Sequence, residues 1–218
     1  MNDQLMDPLR EGARKLGLEL SEGQFMQLME FLSLLQKWNK VYNLTAVRDP
    51  GEMLTHHLLD SLAAVKPLQR YLNSMPQGQG ERLLDVGSGG GLPGVVFAIC
   101  CPSLDVSCVD TVAKKAAFIN QAAATLRLSN LHGIHARVET LTQKFDVVSC
   151  RAFASLIDFT TWSRSTLAEH AVWLAMKGKR PDDEMAALGA GVDVFHVEHL
   201  QVPGLDADRC IVWMRPVA

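Results

Sequence analysis

The chain has 218 residues, 48% of them hydrophobic, and a formal net charge of −3. That suits one large domain, or one domain with an extension, and it excludes a global basic field that would draw the chain to nucleic acid. No apolar run approaches the roughly 18 residues of a membrane span, and the start, Met1-Asn2-Asp3-Gln4, lacks the basic and apolar regions of a signal segment, so the expectation is a cytoplasmic protein without a membrane partner.

Residues 1–75 read as helical and are expected to form an extension packed on a second unit, 81–218. Leu5, Leu9, Leu16 and Leu18 suggest a short amphipathic helix. Ser21-x-x-Gln24 has the form of a capping box before a long helix whose Phe25, Leu28, Leu32 and Leu35 face a core. Trp38-Asn39-Lys40-Val41-Tyr42-Asn43-Leu44-Thr45 breaks that periodicity. It reads as an interhelical turn with core aromatics, the alternative being a surface that stacks on RNA. Asp49-Pro50-Gly51-Glu52 starts another helix, with a cap, a first-turn proline and an acid. His57, Asp60 and Ser61 on that helix invite a hydrolase triad. Such triads are recognised by geometry, and polar packing between the helices and a sheet accounts for the same residues.

After the turn-rich linker 74–80 the rhythm becomes strand and helix in alternation. Strands are expected at 82–86, 105–109, 131–136, 145–150, 171–176, 192–200 and 210–214. Helices are expected at 93–101 and 113–127 and after the cap Ser155-x-x-Asp158. Alternation implies crossovers and a mostly parallel sheet, and the short Pro203-Gly204 connection implies an antiparallel hairpin at one edge.

Leu83-Leu84-Asp85-Val86-Gly87-Ser88-Gly89-Gly90-Gly91-Leu92-Pro93-Gly94 reads as a buried strand, a glycine turn and a helix start. Such a turn places a small ligand at the carboxyl end of an open sheet. The frame Gly89-x-Gly91-x-x-Gly94 matches a dinucleotide fingerprint, but Asp85 would repel a pyrophosphate. It would favour the ammonium or sulfonium of S-adenosylmethionine (SAM). Asp85, Gly87, Gly89 and Gly91 together resemble the first motif of Rossmann-like SAM methyltransferases. Asp110, at the end of the second strand, suits ribose hydroxyls; a helix N-terminal acid is the alternative. Arg137-Val138-Glu139 could offer a backbone N–H and a carboxylate to an adenine edge, or be a solvated loop. Arg151 could bind the cofactor carboxylate or form a structural ion pair. Lys177-Gly178-Lys179-Arg180 is the densest basic cluster, a phosphate contact or a solvated loop. The five cysteines, Cys100, Cys101, Cys108, Cys150 and Cys210, lack metal-ligand spacing and read as free buried thiols in a reducing compartment.

Taken together, residues from about 38 to the C-terminus resemble the ribosomal RNA small-subunit methyltransferase G family, also called glucose-inhibited division protein B. The resemblance is carried by Trp38 to Thr45, His57-Leu58-Leu59-Asp60-Ser61, the glycine turn through Leu92-Pro93-Gly94, Arg137-Val138-Glu139, Arg151-Ala152-Phe153 and Lys177-Gly178. Cys150 departs from it, because many members carry Ser before the Arg. The resemblance implies a Rossmann-like SAM-dependent methyltransferase fold with a mostly parallel seven-stranded sheet, an antiparallel edge strand and an N-terminal helical extension. It implies methylation of a guanine N7 in 16S rRNA near the decoding region, on the RNA or on the small ribosomal subunit; apart from the resemblance, a monomer without a metal is the expectation. It implies SAM contacts at Gly87, Leu92, Val138, Glu139 and Arg151, beside Asp85, Gly89, Gly91 and Asp110. It moves Asn39, Lys40, Asn43 and His57 towards substrate contact, beside Lys177 and Lys179. Guanine N7 has a free lone pair and no proton to lose, so no general base is required. A SAM-binding regulatory or RNA-binding module without turnover remains open, as does an NAD oxidoreductase.

Overall fold

The computed structural model describes residues 3–76 and 80–217, so positions 77–79 of the expected linker lie outside the described residues. The N-terminal stretch holds α1 (Asp3–Lys15), α2 (Glu22–Tyr42), α3 (Pro50–Met53), α4 (Asp60–Ala63) and α5 (Val65–Ser74). The capping box forms as read: the Gln24 N–H donates to Ser21 Oγ at 3.3 Å, and the Ser21 N–H donates to Gln24 Oε1 at 2.9 Å. The first helix ends before Leu16 and Leu18, although Leu18 remains buried.

Two local readings change. The segment expected to be an interhelical turn is helical as far as Tyr42; Asn43, Leu44 and Thr45 lie outside the helix, Asn43 in the left-handed region at φ 50°. Its apolar stripe passes through Asn39, a polar residue that is nevertheless buried, which is why the periodicity seemed to stop at Leu35. After α3 the helix widens into a π-helical turn, Leu54–Leu59, before α4 resumes the ordinary pitch. Single π turns inside helices occur mostly at functional sites.

The sheet among the described residues has seven strands in the order β3-β2-β1-β4-β5-β7-β6. They are β1 (Arg82–Val86), β2 (Asp105–Asp110), β3 (Leu131–His135), β4 (Phe145–Arg151), β5 (Leu167–Lys177), β6 (Val192–Leu200) and β7 (Arg209–Pro216). β1 to β5 pair in parallel. The expected hairpin closes one edge. Its reversed strand, β7, lies one place in from that edge, between β5 and β6. β5 starts four residues before the expected Ala171. Glu169 and His170 are exposed and His170 has φ 65°, so this bulged stretch pairs through its backbone without an apolar pattern to announce it.

The remaining helices are α6 (Gly94–Cys100), α7 (Ala113–Leu126), α8 (Leu156–Ser163) and α9 (Asp182–Ala186). One apolar cluster joins the N-terminal helices, α6, α7 and one face of the sheet, running from Leu9, Leu32 and Leu58 to Val95, Phe118 and Val172. A second, containing Trp173, Phe159 and Val148, lies on the other face beneath α8. Side chains such as Phe31 and Phe97 are fully buried, and each contributes roughly 1.5–3 kcal/mol. No helix of the described residues is long and apolar enough to cross a membrane.

Candidate active site

The site is built at the carboxyl edge of the sheet, where β1 turns into α6. Gly87, Gly89 and Gly91 have φ of 66°, 55° and 79°, a region that costs other residues about 1–2 kcal/mol. The Gly87 N–H donates to Val109 O at 2.9 Å and the Gly89 N–H to Asp110 Oδ2 at 3.1 Å, which fastens the turn to β2. Gly94 begins α6 so close to β2 that a Cβ there would stand 2.3 Å from Cys108 Sγ.

Asp85 lies beneath this turn, fully buried. Its carboxylate accepts the Gly94 N–H at 3.0 Å and the Ser149 hydroxyl at 3.1 Å. It lines neither hollow of the site. The direct attraction for a cationic donor read from the sequence therefore gives way to a scaffold role, in which Asp85 ties α6 to β1 and β4. Burial pushes its carboxyl up to about 7, partly offset by the Gly94 bond.

Two hollows flank the turn and share Gly87 and Ala152. The first, of about 450 Å³, lies between the N-terminal helices and the sheet; Thr45, His57, Gly89, Leu92, Arg151 and Arg209 line it, with Lys177 at the end of β5. The second, of about 430 Å³, is lined by Asp110, Val138, Glu139, Phe153 and Trp162. Gly91 lines neither; its open backbone turns the chain into α6 against Val95. Asp110 faces the second hollow while holding the N–H of Gly89 and of Val112.

The first hollow is ordered by one carboxylate. Asp60 accepts from Arg151 at 2.7 Å and from Arg209 at 2.8 Å, and Arg151 also donates to His56 O at 2.9 Å. The Arg151 ion pair is therefore present, and the guanidinium still borders the hollow. His57 meets Thr45 Oγ1 at 2.8 Å, and its Nδ1 has no partner among the described residues. Burial, helped by Arg151, holds the imidazole down to about 4, so it is neutral near pH 7. The triad His57, Asp60 and Ser61 does not assemble, since Thr45 and the two arginines take the partners' places.

Other expected site residues lie outside the hollows or are held by protein partners. Asn39 is buried, with its amide donating to Val47 O and accepting from the Thr45 N–H, so it shapes the turn and lines neither hollow. Lys40 and Asn43 are exposed outside both. Lys177 is held by Glu184 at 2.8 Å and by Ala154 O at 3.1 Å, and Arg180 by Asp182 at 2.7 Å. The basic cluster thus leaves Lys179 as its one cation without a carboxylate partner among the described residues.

Sequence reasoning missed three contributors. Arg209 opens β7 and carries no spacing signal in the sequence. Glu184 accepts from Lys177 and from the Leu156 N–H at 2.7 Å, bracing the loop after β4. The Phe153 ring rests on Gly87, where a Cβ would come within 2.2 Å of it. No group of three His, Cys, Asp or Glu able to hold a metal is gathered among the described residues.

Comparison with known proteins gives a consistent set of likenesses. A family model described as rRNA small subunit methyltransferase G matches residues 24–212. The Ribosomal RNA small subunit methyltransferase G of Acidovorax ebreus (strain TPSY) is 75% identical over 221 residues, covering 100% of this chain and 98% of that protein. The protein of the same name from Acidovorax sp. (strain JS42) is 76% identical, over 96% of this chain and 95% of its own length. Among solved structures, a SAM-dependent methyltransferase from Leishmania major aligns with a TM-score of 0.57 at 15% identity, over 87% of this chain and 83% of its own.

Proposed function

The chain belongs to the rRNA small subunit methyltransferase G family, and from that premise we propose how its residues carry a methyl group from SAM to the N7 of a guanine in 16S rRNA. The protein is a SAM-dependent rRNA methyltransferase on a Rossmann-like sheet. The observation that carries the residue-level reading is the pair of hollows meeting at Gly87 and Ala152.

The second hollow fits an adenosine: an acid at the end of β2, an apolar floor of Val86 and Val138, and a bare glycine backbone. Asp110 would accept the ribose hydroxyls, and Val138 and Glu139 would meet the adenine edge. In the first hollow Arg151, oriented by Asp60, would take the carboxylate of the amino-acid end. Gly87, Gly89 and Leu92 would shape the passage between the two. When bound, SAM supplies a methyl group on a positively charged sulfur. The protein's part is alignment. Neutral His57 adds no positive charge where the purine becomes cationic, and no base is required because N7 carries no proton. Holding the reactants together can supply several kcal/mol of the barrier.

The finer statements stay proposals: a cytoplasmic monomer, an N-terminal unit 1–75 packed on a unit 81–218, and either free rRNA or the assembled small subunit as substrate. Five buried free cysteines support a reducing compartment. Incubation with methyl-labelled SAM and small subunits from cells lacking this protein should label one guanine, recovered as 7-methylguanosine. Absence of transfer to rRNA in every assembly state would reject the reading.

A further inference from the structure

We propose that the end of α2, the first turn of α7 and the segment after β5 form the face on which RNA lies, with Tyr42 as a stacking platform for an unpaired base; this rests on the rRNA-methyltransferase reading above. The observation is a sorting of charges. Near the site Arg151 and Arg209 are held by Asp60, Lys177 by Glu184, Lys115 by Asp110 and Arg180 by Asp182. Lys37, Lys40, Lys114 and Lys179 are exposed and have no carboxylate partner among the described residues.

The topology brings Lys114 and Tyr42 together. α2 and α7 pack antiparallel, since Gln27 Nε2 donates to Leu126 O at 2.9 Å near one end and the Trp38 ring lies 5.4 Å from Phe118 near the other. The end of α2 therefore sits beside the start of α7, where Lys114 stands one turn before Phe118 as Tyr42 stands one turn after Trp38, whereas Lys37 and Lys40 belong to the outward stripe of α2. That start follows the carboxyl end of β2, the edge at which both hollows open. Lys179 follows the carboxyl end of β5, next to Gly178, which lines the first hollow. Lys114 and Lys179 thus stand as unmatched amines at the carboxyl edge of the sheet, where phosphates would meet them.

Tyr42 supplies the other half. It is 39% exposed, and its ring centroid lies 5.1 Å from that of Trp38, which in turn rests on Phe118. This ladder roots the exposed ring in the core, so little freedom is lost when a base stacks on it. The left-handed turn at Asn43 then leads directly to Leu44 and Thr45, which line the first hollow. A nucleotide on Tyr42 would therefore neighbour the one that enters. Single-stranded RNA is recognised by such stacking on aromatic side chains beside basic groups.

The test is filter binding of labelled 16S rRNA, and of assembled small subunits, over a series of salt concentrations. In the double variant Lys114→Ala and Lys179→Ala, the slope of log K against log salt should fall by about 1.4, at roughly 0.7 per lost phosphate contact. Tyr42→Ala should bind roughly tenfold more weakly with its slope unchanged, and Tyr42→Phe should bind as the wild type does. Arg127→Gln, at the far end of α7, should leave binding intact. SAM affinity, measured by calorimetry, should be unaltered throughout. An unchanged slope in the double variant, an equal loss in Arg127→Gln, or a loss on assembled subunits with rRNA binding untouched would overturn the proposal, the last by assigning the face to a protein. Binding with the expected losses but no methyl transfer would sink the enzymatic reading and leave this face standing; transfer with unaffected binding in every variant would do the reverse.

Discussion

Asp60 and Arg151 join at 2.7 Å, so the residue that follows the π-helical turn grips the last residue of β4 from behind the wall of the first hollow. The Asp60 side chain is 4% exposed and holds Arg209 as well. Removing it would leave two guanidiniums uncompensated, although each keeps some contact with water. Asp60→Ala is expected to cost about 3 kcal/mol in urea unfolding and to weaken SAM binding as Arg151 loses its orientation. A cost below about 0.5 kcal/mol, the range of an exposed pair, would show that the bridge does not hold the hollow together.

Asp85 and His57 give opposite pH dependences. Burial raises Asp85 from 3.8 to about 7. Between these values the folded chain keeps a proton that the unfolded chain has released, so stability falls as pH rises across that window. Burial and Arg151 lower His57 from 6.5 to about 4. There the unfolded chain binds the extra proton, so stability rises with pH. At 1.36 kcal/mol per unit the two contributions are about 4 and about 3 kcal/mol and nearly cancel. Relative to the wild type, Asp85→Asn should gain stability between pH 4.5 and 6.5, and His57→Gln should lose it over the same range. Chemical denaturation at several pH values reads both slopes, and profiles parallel to the wild type would refute the assignment.

The glycines of the turn should not be equivalent. A methyl at Gly87 would meet the Phe153 ring at 2.2 Å and one at Gly94 would meet Cys108 Sγ at 2.3 Å, whereas at Gly89 the nearest atom is Gly87 O at 3.9 Å. Gly94→Ala should cost roughly 1–3 kcal/mol through overpacking, and Gly87→Ala that amount with about 1–2 kcal/mol of left-handed strain added. Gly89→Ala should cost only about 1–2 kcal/mol of left-handed strain. Calorimetric SAM titration should show the larger loss at Gly87, whose ring contact separates the two hollows. Equal losses at Gly87 and Gly89 would assign the effect to backbone strain alone.

Lys177 should behave as a strut. Its amine is fixed by Glu184 and Ala154 O, and the loop it braces holds Ala152 and Ala154 at φ 51° and 39°. Lys177→Ala and Glu184→Ala are each expected to weaken SAM binding several-fold while leaving the salt dependence of RNA binding unchanged. A reduced salt slope in Lys177→Ala would return this lysine to the phosphate-contact role read from the basic cluster.

The capping box at Ser21, the cap at Asp49, the glycine turn and the alternation of strand and helix were legible because each is set by residues within a few positions of one another. The residue types of the second hollow were legible for the same reason: Asp110, Val138 and Glu139 follow strands whose carboxyl ends a parallel sheet must bring to one edge. Burial and partner choice could not be read in this way. Asp85 and Asp110 are both acids at the ends of neighbouring strands, yet the fold places one under the turn and the other in a hollow. Lys177 and Lys179 are two residues apart, and only α9 decides that the first is neutralised. Asn39 looked like a substrate contact until the backbone of the turn from Thr45 to Val47 took both ends of its amide. Local chemistry selects the elements. A side chain's solvent, charge partner and access to ligand are settled by residues far along the chain, and these meet only when the helices close over the sheet.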